Sequence, residues 1–427
     1  MKLLSLVVPT RNDAEYLPSC LESICSQLSN DVELIIVDDG SSDDTPVICK
    51  NFSDAFESVQ IIRHGECRGA PVARNSGLSK SRGRYVAFVD SDDCLSPDAV
   101  ANLLQAIIDY PLAEVVVGQW VGESNTANNR EMFLSQETQS VNAGEFLAHL
   151  NNVDYLPDVC WHYAIQRRFL VKNNLTFIDA KVGEDQVFVA QVLCLASEIT
   201  LVPKVIYWHR TKSGGLKSSK DVETTLGYVE IVESLTEMFD MPEFSEPSRA
   251  FLSRRISNAR GALGARLLLL DTAGLQAFSD RVGSADKLKN VILAYHKQFA
   301  TQLEDNMLVV MSFCDHMRKK VIASLPRNKN RLVYLFCSGI YSLAAKKVCE
   351  ENGYKVGAIV DNNEFSPKES YFPSRLISPQ MLFEEIAKTE IAASVVVCNP
   401  RQQTYRSIRD QLLNGDARLE SIEHLVF

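Results

Sequence analysis

The chain has 427 residues, 46% of them hydrophobic and 23% charged, an ordinary globular composition long enough for more than one sizeable core. A formal net charge of -10 argues against a general nucleic-acid binder, whose phosphate partner would want clustered lysine and arginine. The 11 cysteines are scattered singly with no Cys-x-x-Cys pair, which excludes an obvious zinc site or disulfide framework and suits reduced thiols in a cytosol.

Residues 3–8 read as a strand closed by Pro9-Thr10, and with only Lys2 ahead of that run no signal peptide is expected. Pro18 falls in the first turn of a helix on which Leu17, Leu21, Ile24 and Leu28 recur at helical spacing. A second strand, 32–37, ends in Asp38-Asp39-Gly40-Ser41-Ser42-Asp43. Pro46 starts another helix, 59–62 is a third strand, and 69–80 is a helix carrying Arg74 and Asn75. The run from Tyr85 to Val89, aromatic and β-branched, is a buried strand. Asp90, Asp92 and Asp93 leave its end, and Ser96 with Pro97 is expected to open the next helix as N-cap and first-turn residue. Strands alternating with helices imply a doubly wound, mostly parallel α/β sheet. In such a sheet the ends of the first, second and fourth strands converge, bringing Pro9-Thr10, Asp38-Asp39 and Asp90–Asp93 to one crevice.

The residue types there suggest a ligand. Asp39 beside Gly40 can accept a hydrogen bond from a ring N–H, as uracil offers, while glycine lets a backbone come close. Taken alone, 38–43 reads equally as a polar turn ending in a helix cap. Asp90 and Asp92 would repel each other unless compensated, and their oxygens suit a hard divalent cation that also takes phosphate oxygens. The bland alternative is an acidic turn capping the next helix, and Asp93 is expected to be little more than that. Arg74 supplies positive charge for a diphosphate or for an acidic contact. Pro9, Thr10, Asp38, Asp39, Arg74, Asp90 and Ser91 are therefore candidate donor-binding residues of a nucleotide-sugar site, with Asp92 as metal ligand.

Four segments, Val7-Val8-Pro9-Thr10-Arg11-Asn12, Val37-Asp38-Asp39-Gly40-Ser41-Ser42-Asp43, Ala73-Arg74-Asn75-Ser76-Gly77-Leu78 and Phe88-Val89-Asp90-Ser91-Asp92-Asp93, resemble the successive signatures of family 2 of the inverting glycosyltransferases. The resemblance covers residues 1–120 well and continues more weakly to residue 215. It implies the GT-A fold, a nucleotide-diphosphate sugar donor, most often a UDP-sugar, and a Mn²⁺ or Mg²⁺ ion. It puts Asp39 at the family's uracil-binding aspartate and Asp90 and Asp92 at its Asp-x-Asp pair. Arg11 departs from the pattern, since family members often carry an aromatic there; that bears on local packing, not on the chemistry.

Beyond residue 114 the pattern loosens. Residues 114–120 form a strand, and the polar segment 123–139 is a loop over the site or a plain surface excursion. Trp161, His162, Arg167 and Arg168 follow, then Val182-Gly183-Glu184-Asp185 opens a helix. These two acids are either first-turn charges favoured by the helix dipole or catalytic groups. Inverting transfer is a single displacement and needs one base for the acceptor hydroxyl. Glu184-Asp185 resembles the family's Glu-Asp pair, which assigns Asp185 as base and Glu184 as acceptor ligand or orienter. The segment from Tyr207 to Ser213 is similar to one that closes over the diphosphate, with His209 completing the metal shell and Arg210 and Lys212 facing the leaving phosphate. Surface groups on a strand end are the competing reading.

Helical periodicity dominates 221–325, with Leu263, Leu267 and Leu270 on one stripe. The apolar run before Arg318-Lys319-Lys320 is expected to pack internally, with a membrane surface as the alternative. Residues 331–427 restart as strand, helix, strand and resemble a small Rossmann-type unit. Of the phosphate-binding glycines only Gly339 survives, flanked by Cys337 and Ser342, with Asp361 at ribose distance. The expected domains are 1–220 (GT-A), 221–325 (helical connector) and 326–427 (Rossmann-like accessory unit). The expected activity is transfer of a sugar to a hydroxyl of a glycan or glycoconjugate in polysaccharide biosynthesis, in the cytoplasm or peripherally on the inner face of its membrane. Self-association or docking would fall to the C-terminal unit. Two other readings stay open: a nucleotide-sugar-modifying oxidoreductase, against which the lost glycines count, and a non-catalytic carbohydrate-binding or assembly protein, against which the intact acids count.

Overall fold

The two apolar runs nearest the N-terminus become neighbouring parallel strands, β1 (Leu4–Thr10) and β2 (Val32–Asp38), in register from Leu4 opposite Val32 to Thr10 opposite Asp38. Every residue of both is buried, which requires a cover of helices on each face. This computed structural model describes residues 2–122, 132–153, 155–210, 221–283, 306–327, 329–336, 340–360, 376–388, 393–398, 408–413 and 419–425. The expected Thr211, Lys212, Ser213, Cys337, Gly339 and Asp361 lie outside the described residues, as does most of the 123–139 loop.

The helices α1 (Leu17–Cys25), α2 (Thr45–Ala55) and α3 (Ala70–Lys80) alternate with β3 (Val59–Arg63) and β4 (Tyr85–Phe88), as the apolar spacing predicts. The strands lie in the order β3-β2-β1-β4, all parallel. The winding direction reverses between β1 and β4, so the crevice for a ligand opens at their carboxyl ends. Helix α3 sits unusually close to the sheet: a Cβ on Gly77 would lie 2.2 Å from Val7 Cγ1, a distance only glycine avoids.

One expectation fails locally. The helix after the acidic loop, α4 (Ala99–Asp109), starts three residues beyond Ser96, and its N-cap is Asp98 in the left-handed conformation, φ 61°. Aspartate is among the few side chains that tolerate this region, so Ser96 and Pro97 form a turn instead of the cap. That turn is held by β5 (Cys94–Leu95), a short strand antiparallel to β9 (Glu198–Trp208).

The other half of the sheet adds β6 (Val115–Val121), β7 (Gln139–Asn142) and β8 (Tyr163–Gln166), in the order β4-β8-β6-β9. Strand β8 runs antiparallel to both neighbours. Its four residues lie within the segment 160–170, where so short an apolar run has no decisive period. Helices α5 (Ala143–Leu150), α6 (Arg167–Lys172) and α7 (Glu184–Leu195) cover this half.

Further on come α8 (Val222–Asp240), α9 (Glu246–Leu269), α10 (Thr272–Arg281) and a helix over Asn306–Ala323, in line with the helical periodicity. Leu263, Leu267 and Leu270 are buried, and so are Val309, Val310, Phe313 and Met317 of the run ahead of the basic cluster and Val321 just after it. Among the described residues no helix is long and apolar enough to cross a membrane. A second, all-parallel sheet consists of Leu332–Phe336, Lys355–Val360, Leu376–Ile377, Ala393–Cys398 and Leu419–Leu425, with spatial order third-second-first-fourth-fifth. That is a doubly wound order around a core of its own, and it meets the Rossmann-like expectation. The chain divides into two compact units, Met1–Lys212 with Glu237–Arg254, and Ser213–Thr236 with Arg255–Phe427.

Candidate active site

The acidic loop after β4 is held by partners from distant parts of the chain. The Tyr207 hydroxyl, on β9, accepts the Asp90 backbone N–H at 3.1 Å and donates to Asp93 Oδ2 at 2.7 Å. The other Asp93 oxygen accepts the Arg210 N–H at 2.7 Å, and Arg210 Nε donates to the Asp92 carbonyl at 3.0 Å. The Ser91 hydroxyl donates to the Asp13 carboxylate, a contact that crosses from the end of β4 to the end of β1. Together these fix the backbone so that Asp90, Asp92 and Asp93 each offer an oxygen within 4.8 Å of the others.

Three carboxylates so close repel. Burial first, and then the charges of Asp90 and Asp92, push the Asp93 carboxyl up to about 8. A hard divalent cation would relieve that repulsion, and an all-oxygen donor set is the kind that Mg²⁺ or Mn²⁺ takes. His209 does not join this cluster; its ring lies against Trp161 and Trp120, with centroids 5.6 and 5.8 Å away.

At the end of β2, Asp38 and Asp39 have separate tasks. Asp38 holds the turn, accepting the Ser41 N–H at 3.0 Å and pairing with Arg63 Nε at 3.2 Å. The Asp39 carboxylate accepts the Arg68 N–H at 3.0 Å, the Gly69 N–H at 2.8 Å, and a contact from His64 Nδ1 at 2.6 Å. Burial raises its pKa, but these hydrogen bonds outweigh burial and hold the carboxyl below its ordinary range. Beside it the buried Thr10 hydroxyl has no hydrogen-bond partner among the described residues, while the Thr10 carbonyl accepts the Asp39 N–H at 2.9 Å. Pro9 pairs with Val37 in the same ladder.

Arg74 lies between the acidic loop and α7. Its Nη2 is 2.8 Å from Asp90 Oδ1, and its Nη1 is 2.7 Å from Glu184 Oε1 and 3.2 Å from Asp185 Oδ1. Gly183 precedes the two acids with φ 73°, a turn that delivers both to the first turn of the helix. Burial, aided by Glu184 and Asp90 and opposed by Arg74, pushes the Asp185 carboxyl up to about 7. One carboxylate set thus has the geometry that could hold a cation, and another lies one guanidinium away, its Asp185 carboxyl raised by burial.

The "Glycosyl transferase family 2" model matches residues 5–175, the stretch that contains Asp39, Arg74 and the acidic loop. Residues 5–175 are a family 2 glycosyltransferase domain. Glycosyltransferase GlyA of Streptococcus pneumoniae serotype 4 is 26% identical over 333 residues, which are 74% of this chain and 46% of GlyA. Glycosyltransferase GlyG of the same organism is 27% identical over 226 residues, 50% of this chain and 73% of GlyG. The chain thus spans less than half of GlyA's length. Among solved structures, S. aureus TarS 1-349 in complex with UDP-GlcNAc superposes with a TM-score of 0.53 at 17% identity, covering 75% of this chain and 92% of that one. At that identity the likeness is one of fold, and it agrees with the GT-A expectation.

The family 2 match stops before Glu184 and Asp185, so their place in the site rests on the contacts with Arg74. Several residues that hold the acidic loop and Asp39 carry no local sequence signal. Tyr207 and Asp13 act through partners 114 and 78 residues away. His64 and Arg68 serve Asp39 from a loop without a motif of its own. Trp161 stacks on Tyr207 at 4.2 Å and 14°, and Trp120 meets Trp161 edge-on at 5.0 Å, an aromatic cluster that backs the acidic loop. The guanidinium of Arg210 lies over Tyr16 and Trp208 and reaches Ser19 Oγ at 3.2 Å, so in the structure it serves the loop's own architecture.

Proposed function

We propose that this chain is an inverting glycosyltransferase that moves a sugar from a nucleotide diphosphate, a UDP-sugar, to a hydroxyl of a glycan or glycoconjugate. The reading is carried by one observation: Arg74 joins the acidic loop expected to face the donor to the Glu184-Asp185 pair expected to face the acceptor. Pro9, Thr10, Asp38, Asp39, Asp90 and Ser91 line the donor side, and Asp90 and Asp92, joined by Asp93, would hold Mn²⁺ or Mg²⁺. When bound, that cation supplies neutralisation of the charge on the departing diphosphate.

The acceptor hydroxyl proton passes to the Asp185 carboxylate as the acceptor oxygen bonds to the anomeric carbon. The bond from that carbon to the diphosphate breaks in the same step, so one inversion results. A base with a pKa near the working pH contributes roughly 10²–10⁴-fold. Glu184 orients the acceptor, and Arg210 holds the acidic loop. The expected division into 1–220, 221–325 and 326–427 remains part of this reading, with the last unit used for docking or self-association and the whole acting in the cytoplasm or at the inner membrane face.

The test is a panel of nucleotide sugars scored for metal-dependent UDP release, with UDP-GlcNAc, the ligand of the TarS complex, as first donor. Release from no UDP-sugar in the presence of Mn²⁺ or Mg²⁺, by protein that is folded, would reject it.

A further inference from the structure

Helix α3 presents two adjacent residues, Arg74 and Asn75, toward the segment that leads into α7. Asn75 clamps that segment like a strand partner: its Nδ2 donates to the Phe177 carbonyl at 2.8 Å and its Oδ1 accepts the Phe177 N–H at 2.9 Å. The Phe177 ring stacks on Phe188 of α7 at 4.0 Å and meets Phe88 of β4 edge-on at 5.0 Å. The Arg74 guanidinium lies 5.3 Å above the same Phe177 ring, and its side chain is 5% exposed. A guanidinium pinned on one face and bonded through both terminal nitrogens is rigid, and so is whatever it holds.

We propose that Arg74 is a positioning residue for the base Asp185, aligning it with Asp90 through a single guanidinium, and not a ligand of the donor diphosphate. The inference rests on the transfer reading given above. A diphosphate seeking Arg74 would have to displace carboxylates at 2.7 and 2.8 Å that are already paired with it in a buried setting. The groups that face Asp185 are Arg74 from α3, Cys160 from ahead of β8, Glu184 from its own helix and Asp90 from the end of β4. Burial, Glu184 and Asp90 oppose a charge on Asp185, and Arg74 is the cation that offsets them, helped by the Cys160 thiol. Lysine is a point charge without the fork, and it cannot serve Asp90 and the α7 acids together.

The experiment compares Arg74→Lys, Asp185→Asn and the double variant, with UDP affinity measured by calorimetry in the presence of Mn²⁺ and kcat from initial rates. Arg74→Lys is expected to lower kcat by about tenfold to a hundredfold, the cost of a base misplaced by about 1 Å. UDP affinity is expected to change by less than about threefold, because positioning and donor binding are separate terms. In the Asp185→Asn background the lysine substitution is expected to have no further effect on kcat. UDP affinity falling in parallel with kcat, or full multiplication of the two losses, would overturn the proposal while leaving the transfer reading intact. An Asp185→Asn variant that turns over like the parent would instead reject the base assignment, and this role with it. Should Arg74→Lys not fold, Phe177→Leu leaves Arg74 in place but removes the ring beneath it, and the same split between kcat and UDP affinity is expected.

Discussion

Tyr207 donates its hydroxyl hydrogen to Asp93 at 2.7 Å while accepting the Asp90 amide at 3.1 Å, so one phenol ties both ends of the acidic loop to β9. The hydroxyl is buried, so its removal leaves the Asp90 amide and an Asp93 oxygen each short of a partner. Tyr207→Phe is expected to cost about 1–3 kcal/mol of stability, the range for leaving buried polar groups unsatisfied. Thermal unfolding measures this, and calorimetry with UDP and Mn²⁺ is expected to show weaker binding through a loosened loop. An unchanged melting temperature would mean that Asp93 is held by Arg210 alone.

Asp92→Asn replaces a charged oxygen ligand by a neutral amide of the same shape, which is a poorer donor to a hard cation. Metal-dependent turnover is expected to disappear at limiting metal. Near-parent rates under those conditions would remove Asp92 from the metal shell.

The rate should depend on pH through Asp185. Burial, with Glu184 and Asp90 against Arg74, raises this carboxyl to about 7, and the base must be unprotonated to act. The kcat profile is therefore expected to rise with pH up to about 7 and level off above it, falling about tenfold per unit below. Asp185→Asn is expected to abolish that acid limb and lower the plateau by roughly 10²-fold or more, the general-base range. A profile flat between about pH 5 and 8 would place the base elsewhere.

Gly77→Ala tests the close approach of α3 to the sheet. The added methyl would meet Val7 Cγ1 at 2.2 Å and Val37 Cγ2 at 3.3 Å, so the helix must shift. Overpacking of this kind costs about 1–3 kcal/mol, readable as a lower unfolding midpoint. Because α3 also carries Arg74 and Asn75, kcat is expected to fall as well. A variant with full stability and full activity would show that the helix has slack.

Much of the fold is written locally. The strands β1, β2 and β4 are largely apolar runs leading into Pro9-Thr10, Asp38-Asp39 and Asp90, and alternation with helices is enough to make them parallel neighbours. The ligand crevice follows from winding order, so Asp39 and Asp90–Asp93 could be brought together without a structure. The start of α4 could not, because the left-handed turn at Asp98 competes with an equally good Ser96-Pro97 signal.

What tertiary structure decided is how the charges are matched. Composition and motif offer Arg74 to a diphosphate, but its partners are Asp90, 16 residues away, and Glu184, 110 residues away. Asp93 reads by itself as a helix cap, yet it is the anchor for Tyr207 and Arg210. A side chain's type sets which bonds it can make, and this is local information. Which of the eligible partners it meets depends on strand order and on the closeness of helix to sheet, and those are settled only when the whole core packs.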